Sequence, residues 1–285
     1  MKGKLIFPYI LTNLLSGIGS AVMFWYSGYD PIWLGTFLAT ITVPVFLMVL
    51  IAALGLSNTS KNLPVIQLIV LGGVAIVAYT LFDRGGPSTT GEYLSISLAL
   101  YAALTLQWYI HVFSKYKRTP GATIARGKPL PALSLRRLDE SEVSSSDVGG
   151  EKALLVFFRA NWCPVCMSQL KDIAAEADRL ATAGVKVKFI SNQGVENSKK
   201  LAEKMGLPAH FEILQDDDLQ ASKALKIEDK GGAPKGMPGF PHDTTMATVI
   251  ALDDQGNVLF GDETANYRRR PHPDAFLGVL NIAAA

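Results

Sequence analysis

Four uncharged apolar stretches, residues 5–26, 32–56, 63–82 and 93–113, limit what this chain can fold into more than any other feature. Each reaches the roughly 20 residues that a helix, rising about 1.5 Å per residue, needs to cross about 30 Å of hydrocarbon. The segments between them, "SGYDP", "SNTSKN" and "DRGGPSTTGE", collect the charges and turn formers. Phe24, Trp25, Tyr26, Trp33, Trp108 and Tyr109 gather near the ends of the stretches, where an aromatic belt sits at headgroup depth. Four buried helices of a water-soluble protein are the competing reading, but runs of this length rarely occur fourfold in such folds. The expectation is a four-helix transmembrane domain over residues 1–118.

Charge gives that domain a direction. Residues 1–118 hold seven Lys/Arg and three Asp/Glu, whereas residues 119–285 hold twenty and twenty-two, out of 27 and 25 in the whole chain. Lys2 and Lys4 precede the first stretch, Lys61 follows the second, and Lys115, Lys117 and Arg118 follow the fourth; Arg84 alone lies on the other side. The positive-inside rule then places both termini in the cytoplasm, in a multi-pass protein of the inner (cytoplasmic) membrane. The first stretch exceeds the 7–15 residues of a signal-peptide core, so an uncleaved anchor is expected. No basic patch argues for nucleic acid. The arginine triplet 268–270 is too short for that and reads as a solvated loop.

Within the apolar half, Gln67 and Gln107 are placed to bridge helices. Ser16, Gly17, Gly19 and Ser20 permit close helix contact, and Pro44 is placed to kink the second span. His111 is the one histidine there; beside the aromatic belt it reads as interfacial rather than as a metal or haem ligand.

Residues 119–150 change character and read as a Pro/Gly/Ser-rich linker holding one short hairpin. The domain expected over residues 151–285 opens with "KALLVFF", an apolar run suited to a buried strand. A helix to about Ala183, a strand "VKVKFIS", a helix closed by Gly206, a strand "HFEILQD", a helix "DLQASKALKI", a hairpin around Asp254, Gln255 and Gly256, and a last helix follow. The order β-α-β-α-β-α-β-β-α specifies an α/β domain with a mixed central sheet.

Cys163 and Cys166, the only two cysteines, flank Pro164 and Val165 where the first strand gives way to the first helix. The free N–H groups and dipole of a first helical turn favour a thiolate, and two intervening residues let the second thiol close on the first. Pro164 lacks an N–H that this turn does not need. A zinc clip wants four ligands, and no second CxxC or close histidine pair exists, so no metal or other cofactor is expected. An inert buried pair is the remaining alternative; Trp162 and Pro164 flank the thiols as in a surface redox loop.

The stretches "LLVFFRANWCPVCMSQLKDI", "VKFIS", "ATVIALDDQGNVLF" and "NYRRRPHPDAFLGVL" resemble the peroxiredoxin-like branch of the thioredoxin fold, the alkyl hydroperoxide reductase/thiol-specific antioxidant family. The resemblance covers residues 122–282 and excludes the four spans. It implies a thioredoxin fold and thiol redox chemistry, with Cys163 and Cys166 as catalytic residues. It places Cys166 where the family attacks peroxide, Cys163 where it carries a hydroxyl, and Arg159 where it carries a proline. Counting back from Gly256, Ala247 stands where the family's activating arginine and thioredoxin's cis-proline would be. Thioredoxin's buried acid is Phe157 here. The loop "KGGAPKGMPGFPHDTT" is expected to approach the cysteines, with His242 either a proton shuttle or an exposed loop residue. Arg159 either raises the local potential or packs its stem.

Three functions compete on these grounds. One is a membrane-anchored thiol–disulfide oxidoreductase acting on protein thiols and disulfides. Another is a peroxidase that reduces organic or lipid hydroperoxides and draws on a thiol electron donor. The third is a redox sensor without turnover. Cys163 is expected to attack, being exposed at the helix mouth, with Cys166 resolving. Lipid is the other expected partner.

Overall fold

A computed structural model describes residues 3–282 except 144–146, 149, 235–236 and 238. The chain divides into two compact units. One comprises Leu5–Leu54 and Thr59–Lys115; the other is built on Tyr116–Ala285 and includes Met1–Lys4 and Gly55–Asn58.

The helical unit contains α1 (Gly3–Tyr26), α2 (Pro31–Val45), α3 (Pro64–Asp83) and α4 (Thr90–Trp108). With their continuations through Leu50 and Phe113, these are four helices long and apolar enough to cross a membrane. Their starts are written in the sequence. Asp30 accepts from Ile32 N–H at 3.0 Å ahead of Pro31. Thr89 and Glu92 form a reciprocal capping box. Pro64 opens α3. After Pro44 the helix loosens to a π-turn over Phe46–Leu50, where Ile51 N–H reaches back to the Phe46 carbonyl. A proline donates no backbone bond, so the ladder slips there.

Small residues bring α2 and α3 together. A Cβ on Gly73 would lie 2.5 Å from the Gly35 carbonyl oxygen, and one on Gly35 would lie 2.6 Å from that of Gly73. Thr36 Oγ1 meets Ser95 Oγ at 2.5 Å, and Gln107 Nε2 donates to Gln67 Oε1 at 2.9 Å, the bridge expected of that pair. Gly17 packs on Ile41 but Gly19 faces open space, so the small-residue run makes contact on one side only. Arg84 donates to Asp30 Oδ1 at 2.8 Å and to Glu92 Oε1 at 3.0 Å, tying the ends of α2, α3 and α4 together. His111 is exposed in the π-turn that ends α4.

In the α/β unit the strands are β1 (Leu135–Arg136), β2 (Glu142–Val143), β3 (Ala153–Phe157), β4 (Lys186–Ser191) and β5 (Phe211–Gln215). They continue with β6 (Glu228–Asp229), β7 (Thr244–Thr245), β8 (Thr248–Leu252) and β9 (Val258–Asp262). The main sheet runs β2-β1-β5-β4-β3-β8-β9, and β6 pairs with β7 separately. β3, β4 and β5 are parallel; β8, β9, β1 and β2 run antiparallel to their neighbours. The result is a thioredoxin-like mixed sheet. β1 and β2 are the short hairpin expected within residues 119–150, and they extend the sheet edge at β5.

The continuous apolar run of β3 is explained by its place: every residue is buried, between β4 and β8. Leu155, Phe157, Ile190, Leu214 and Ile250 form the core on one face. The helix expected to reach Ala183 is two helices, α5 (Pro164–Ala174) and α6 (Ala177–Thr182). The axis breaks where Glu176 N–H turns to the Ile173 carbonyl, 3.1 Å away and three residues back. The later helices are α7 (Val195–Met205), closed by Gly206 at φ +56°, α8 (Gln220–Ala224) and α9 (Pro273–Leu277).

Candidate active site

β3 delivers the chain to the site. Phe158 N–H still bonds to the Ile190 carbonyl at 2.9 Å, and the Arg159 carbonyl then accepts from Thr244 Oγ1 at 2.8 Å. Two residues later Asn161 N–H is held by Gln193 Oε1 at 2.8 Å. The turn ends with Cys163 as the N-cap of α5, Pro164 as its first helical residue and Cys166 within the first turn. Hydrophobic periodicity turns Cys166, Leu170 and Ile173 inward and buries Cys166 completely.

The expected exposure of Cys163 is not found. Cys163 is 2% exposed and Cys166 0%. Position also separates their chemistry. Cys163 donates its S–H toward Cys166, which lowers the Cys166 pKa well below the ordinary thiol range; Arg270, a backbone bond at Arg159 and the Arg159 charge act in the same direction, against burial. The same hydrogen bond, together with burial, pushes Cys163 well above that range. These influences favour the thiolate on Cys166, inside the helix turn, and the proton on Cys163.

Two buried guanidinium groups frame the pair. Arg159 lies between the faces of Trp162 and Tyr267, 4.8 and 5.2 Å from their ring centres. Its Nη2 donates to the Gly232 carbonyl and lies 4.0 Å from Asp229, while its Nε has no hydrogen-bond partner among the described residues. Arg159 thus packs beside the site, and its charge acts on Cys166.

Arg270 belongs to the triplet read as a solvated loop. That reading is corrected: Arg268 is 0% and Arg270 3% exposed, and only Arg269 faces solvent. A turn set by Asn266, which bonds the N–H groups of Arg268 and Arg269, is followed by alternation of side chains inward and outward. Arg270 Nη1 donates to the Arg269 carbonyl at 2.9 Å; Nε and Nη2 are buried and have no hydrogen-bond partner among the described residues.

Tyr116 completes the arrangement. It is buried, its phenol is kept protonated by burial, and the two arginines and Cys166 all act on it. Its hydroxyl accepts from Ala247 N–H at 3.3 Å, and Arg118 donates to the Ala247 carbonyl and to Thr248 Oγ1, both at 3.0 Å. Ala247 is therefore a buried backbone anchor, and Arg118, counted as a membrane-flanking charge, holds the start of β8. His242 is half-buried; its ring Nδ1 is without a hydrogen-bond partner among the described residues. Its loop carries Lys235, Gly236 and Pro238, which lie outside the described residues, and with them part of the stretch expected to approach the cysteines.

Reading the sequence missed Arg270 and Tyr116. The alternation Arg-x-Arg after an Asn turn is a weak signal for the first. Nothing local points to the second.

A buried two-cysteine site at a strand-to-helix turn, on a sheet of this topology, defines a thiol-based oxidoreductase of the thioredoxin class. Residues 126–260 match the AhpC/TSA family, and this α/β domain is similar to that peroxiredoxin-like family. The chain is 28% identical to peroxiredoxin Bcp of Escherichia coli K12 over 156 residues, 54% of this chain and 94% of that one. It is 24% identical to chloroplastic peroxiredoxin Q of Suaeda salsa over 169 residues, 59% of this chain and 77% of that one. The structure of reduced Prx3 from Vibrio vulnificus superposes with a TM-score of 0.47 at 22% identity, over 55% of this chain and 99% of that one. The four apolar helices precede the family match, and Tyr116 and Arg270 also lie outside it.

Proposed function

We propose that this chain is a membrane-anchored, thiol-dependent peroxidase in which Cys166 attacks a hydroperoxide and Cys163 resolves the product. The observation that carries this reading is the enclosure of both sulfurs beneath Arg159 and Arg270, with Cys166 favoured as thiolate. A closed, cationic site admits a small peroxide more readily than a protein disulfide. Its buried N–H groups suit the oxygen charge that develops as the O–O bond breaks.

The Cys166 thiolate attacks the terminal oxygen of ROOH, forming an S–O bond while the O–O bond breaks. The alkoxide leaves and takes a proton from solvent, giving ROH and a sulfenic acid on Cys166. The Cys163 sulfur then attacks the sulfenic sulfur. An S–S bond forms, and hydroxide leaves with the Cys163 proton as water. A thiol donor returns the disulfide to the dithiol by two exchange steps.

Rapid mixing of reduced protein with peroxide tests the assignment. Cys166→Ser should abolish peroxide reduction. Cys163→Ser should complete one turnover and stop as a sulfenic acid, read as a 16 Da mass increase of about one oxygen. A sulfenic acid that instead appears on Cys163 in Cys166→Ser exchanges the roles of the two sulfurs; mixed disulfides with protein partners and no peroxide reduction return the lead to thiol–disulfide exchange. Redox-dependent assembly without turnover selects the sensor.

The four apolar helices, with large hydrophobic side chains exposed along them, support anchoring. Lys2, Lys4, Lys61, Lys115 and Lys117 support a cytoplasmic active site. A reporter fused after Ala285 is expected to work only as a cytoplasmic probe; alkaline phosphatase activity there would overturn this topology.

A further inference from the structure

A second cavity lies within the α/β unit, apart from the cysteines but sharing Arg270 with them. It measures about 670 Å³, within the range of small-molecule sites and larger than a single amino acid needs. Its walls carry both signs of charge: Arg126, Arg269 and Arg270 against Asp262 and Glu263. Ile124, Phe260 and Val279 add apolar surface between them.

The charges are not consumed by one another. Glu263 accepts from Gly121 N–H at 2.5 Å. Asp262 has a buried Oδ2 without a hydrogen-bond partner and makes no ion pair among the described residues, and Arg270 has its two unpartnered nitrogens. A buried carboxylate oxygen and buried guanidinium N–H groups are each costly to leave unsatisfied. They line one cavity, near enough to influence each other and too far apart to pair. A simple anion would satisfy Arg270 and be repelled by Asp262; a simple cation would do the reverse. A molecule that carries both charges at its ends satisfies both.

We propose that this cavity binds a short peptide with small apolar side chains, its carboxylate on the Arg269 and Arg270 side and its ammonium on the Asp262 side. Burial pushes the Asp262 carboxyl up, a penalty that a bound ammonium removes. Because Arg270 also acts on Cys166, a carboxylate seated on it draws positive charge away from the thiolate. Occupancy of the cavity thereby slows the thiol. The binding claim does not depend on peroxide being the substrate.

Trialanine, N-acetyl-trialanine and trialanine amide, titrated calorimetrically into the reduced full-length protein in detergent, test it. Saturable binding of trialanine at or below about 1 mM is expected, with each capped form weaker by about ten-fold. Asp262→Asn should erase the preference for the free amine while keeping that for the free carboxylate. Bound trialanine should move the iodoacetamide-labelling profile of Cys166 up by about half a pH unit, a slowing of about three-fold when read on the acid side of that profile. Absence of saturation, or equal binding of the free and capped peptides, overturns the site; the wild-type series alone decides this if Asp262→Asn fails to fold. Tight binding with unchanged labelling overturns the link through Arg270.

Discussion

Arg84 in the helical unit and Arg270 in the α/β unit are the same residue put to opposite uses. Arg84 meets two carboxylates, Asp30 and Glu92, at 2.8 and 3.0 Å, and those acids also cap the helices that they start. Every part of that cluster is answered by another, which is how an arginine fastens three chain ends. Arg270 is almost wholly buried, bonds a neighbouring carbonyl and Cys166, and keeps two nitrogens without a hydrogen-bond partner among the described residues. Its unspent charge falls on a thiol. A satisfied arginine holds structure together. One left unsatisfied in a closed site is available to chemistry, and the fold bears the desolvation.

The most severe test of that contrast is Arg270→Met. Peroxide reduction should fall by about 100-fold, the scale of losing one charged donor from a closed site. The labelling profile fixes the sign. With Arg270 present, thiolate forms well below the ordinary cysteine range, so labelling reaches its plateau at low pH and falls only on further acidification. Without it, burial acts unopposed by that charge, and the profile moves to higher pH. A profile that does not move would end the claim that Arg270 activates Cys166.

A smaller effect is expected where the helical unit depends on backbone approach. Gly73→Ala puts a methyl group 2.5 Å from the Gly35 carbonyl oxygen and 2.8 Å from Ala39 N. Neither is a flexible side-chain end, so α2 and α3 must separate, at about 1–3 kcal/mol of stability in detergent. Alanine normally strengthens a helix relative to glycine by about 1 kcal/mol. An unchanged or raised denaturation midpoint would refute the close crossing.

The smallest expected effect is at the Gln67–Gln107 bridge, 2.9 Å long. A double-mutant cycle with leucine at both positions should give a coupling of about 0.5 kcal/mol, as intramembrane hydrogen bonds generally do. Coupling at zero would mean that the two amides stand near each other without helping to hold the helices.

Much of this arrangement was legible from residue order alone. Apolar run length gave four helices, and the charged, turn-forming separators gave their limits; in the structure Asp30–Pro31, Pro64 and Thr89 start three of them, because caps are local chemistry. The order of elements along the α/β unit followed from alternating runs and turn residues, and the thiols from a spacing of three; the order of strands in the sheet did not. The break between α5 and α6 was not legible, since neither glycine nor proline marks it.

The sequence by itself determined that a dithiol stands at the mouth of a helix and that an apolar half precedes it. Only tertiary structure sets which sulfur is favoured to carry the charge. That depends on depth, on which side of a turn a side chain faces, and on neighbours more than 100 residues away along the chain, such as Arg270 from Cys166. Arg268, Arg269 and Arg270 look alike in sequence. Alternation beyond Asn266 buries two and exposes one, and burial in a low-dielectric interior is what turns a surface charge into one that can ionise a thiol.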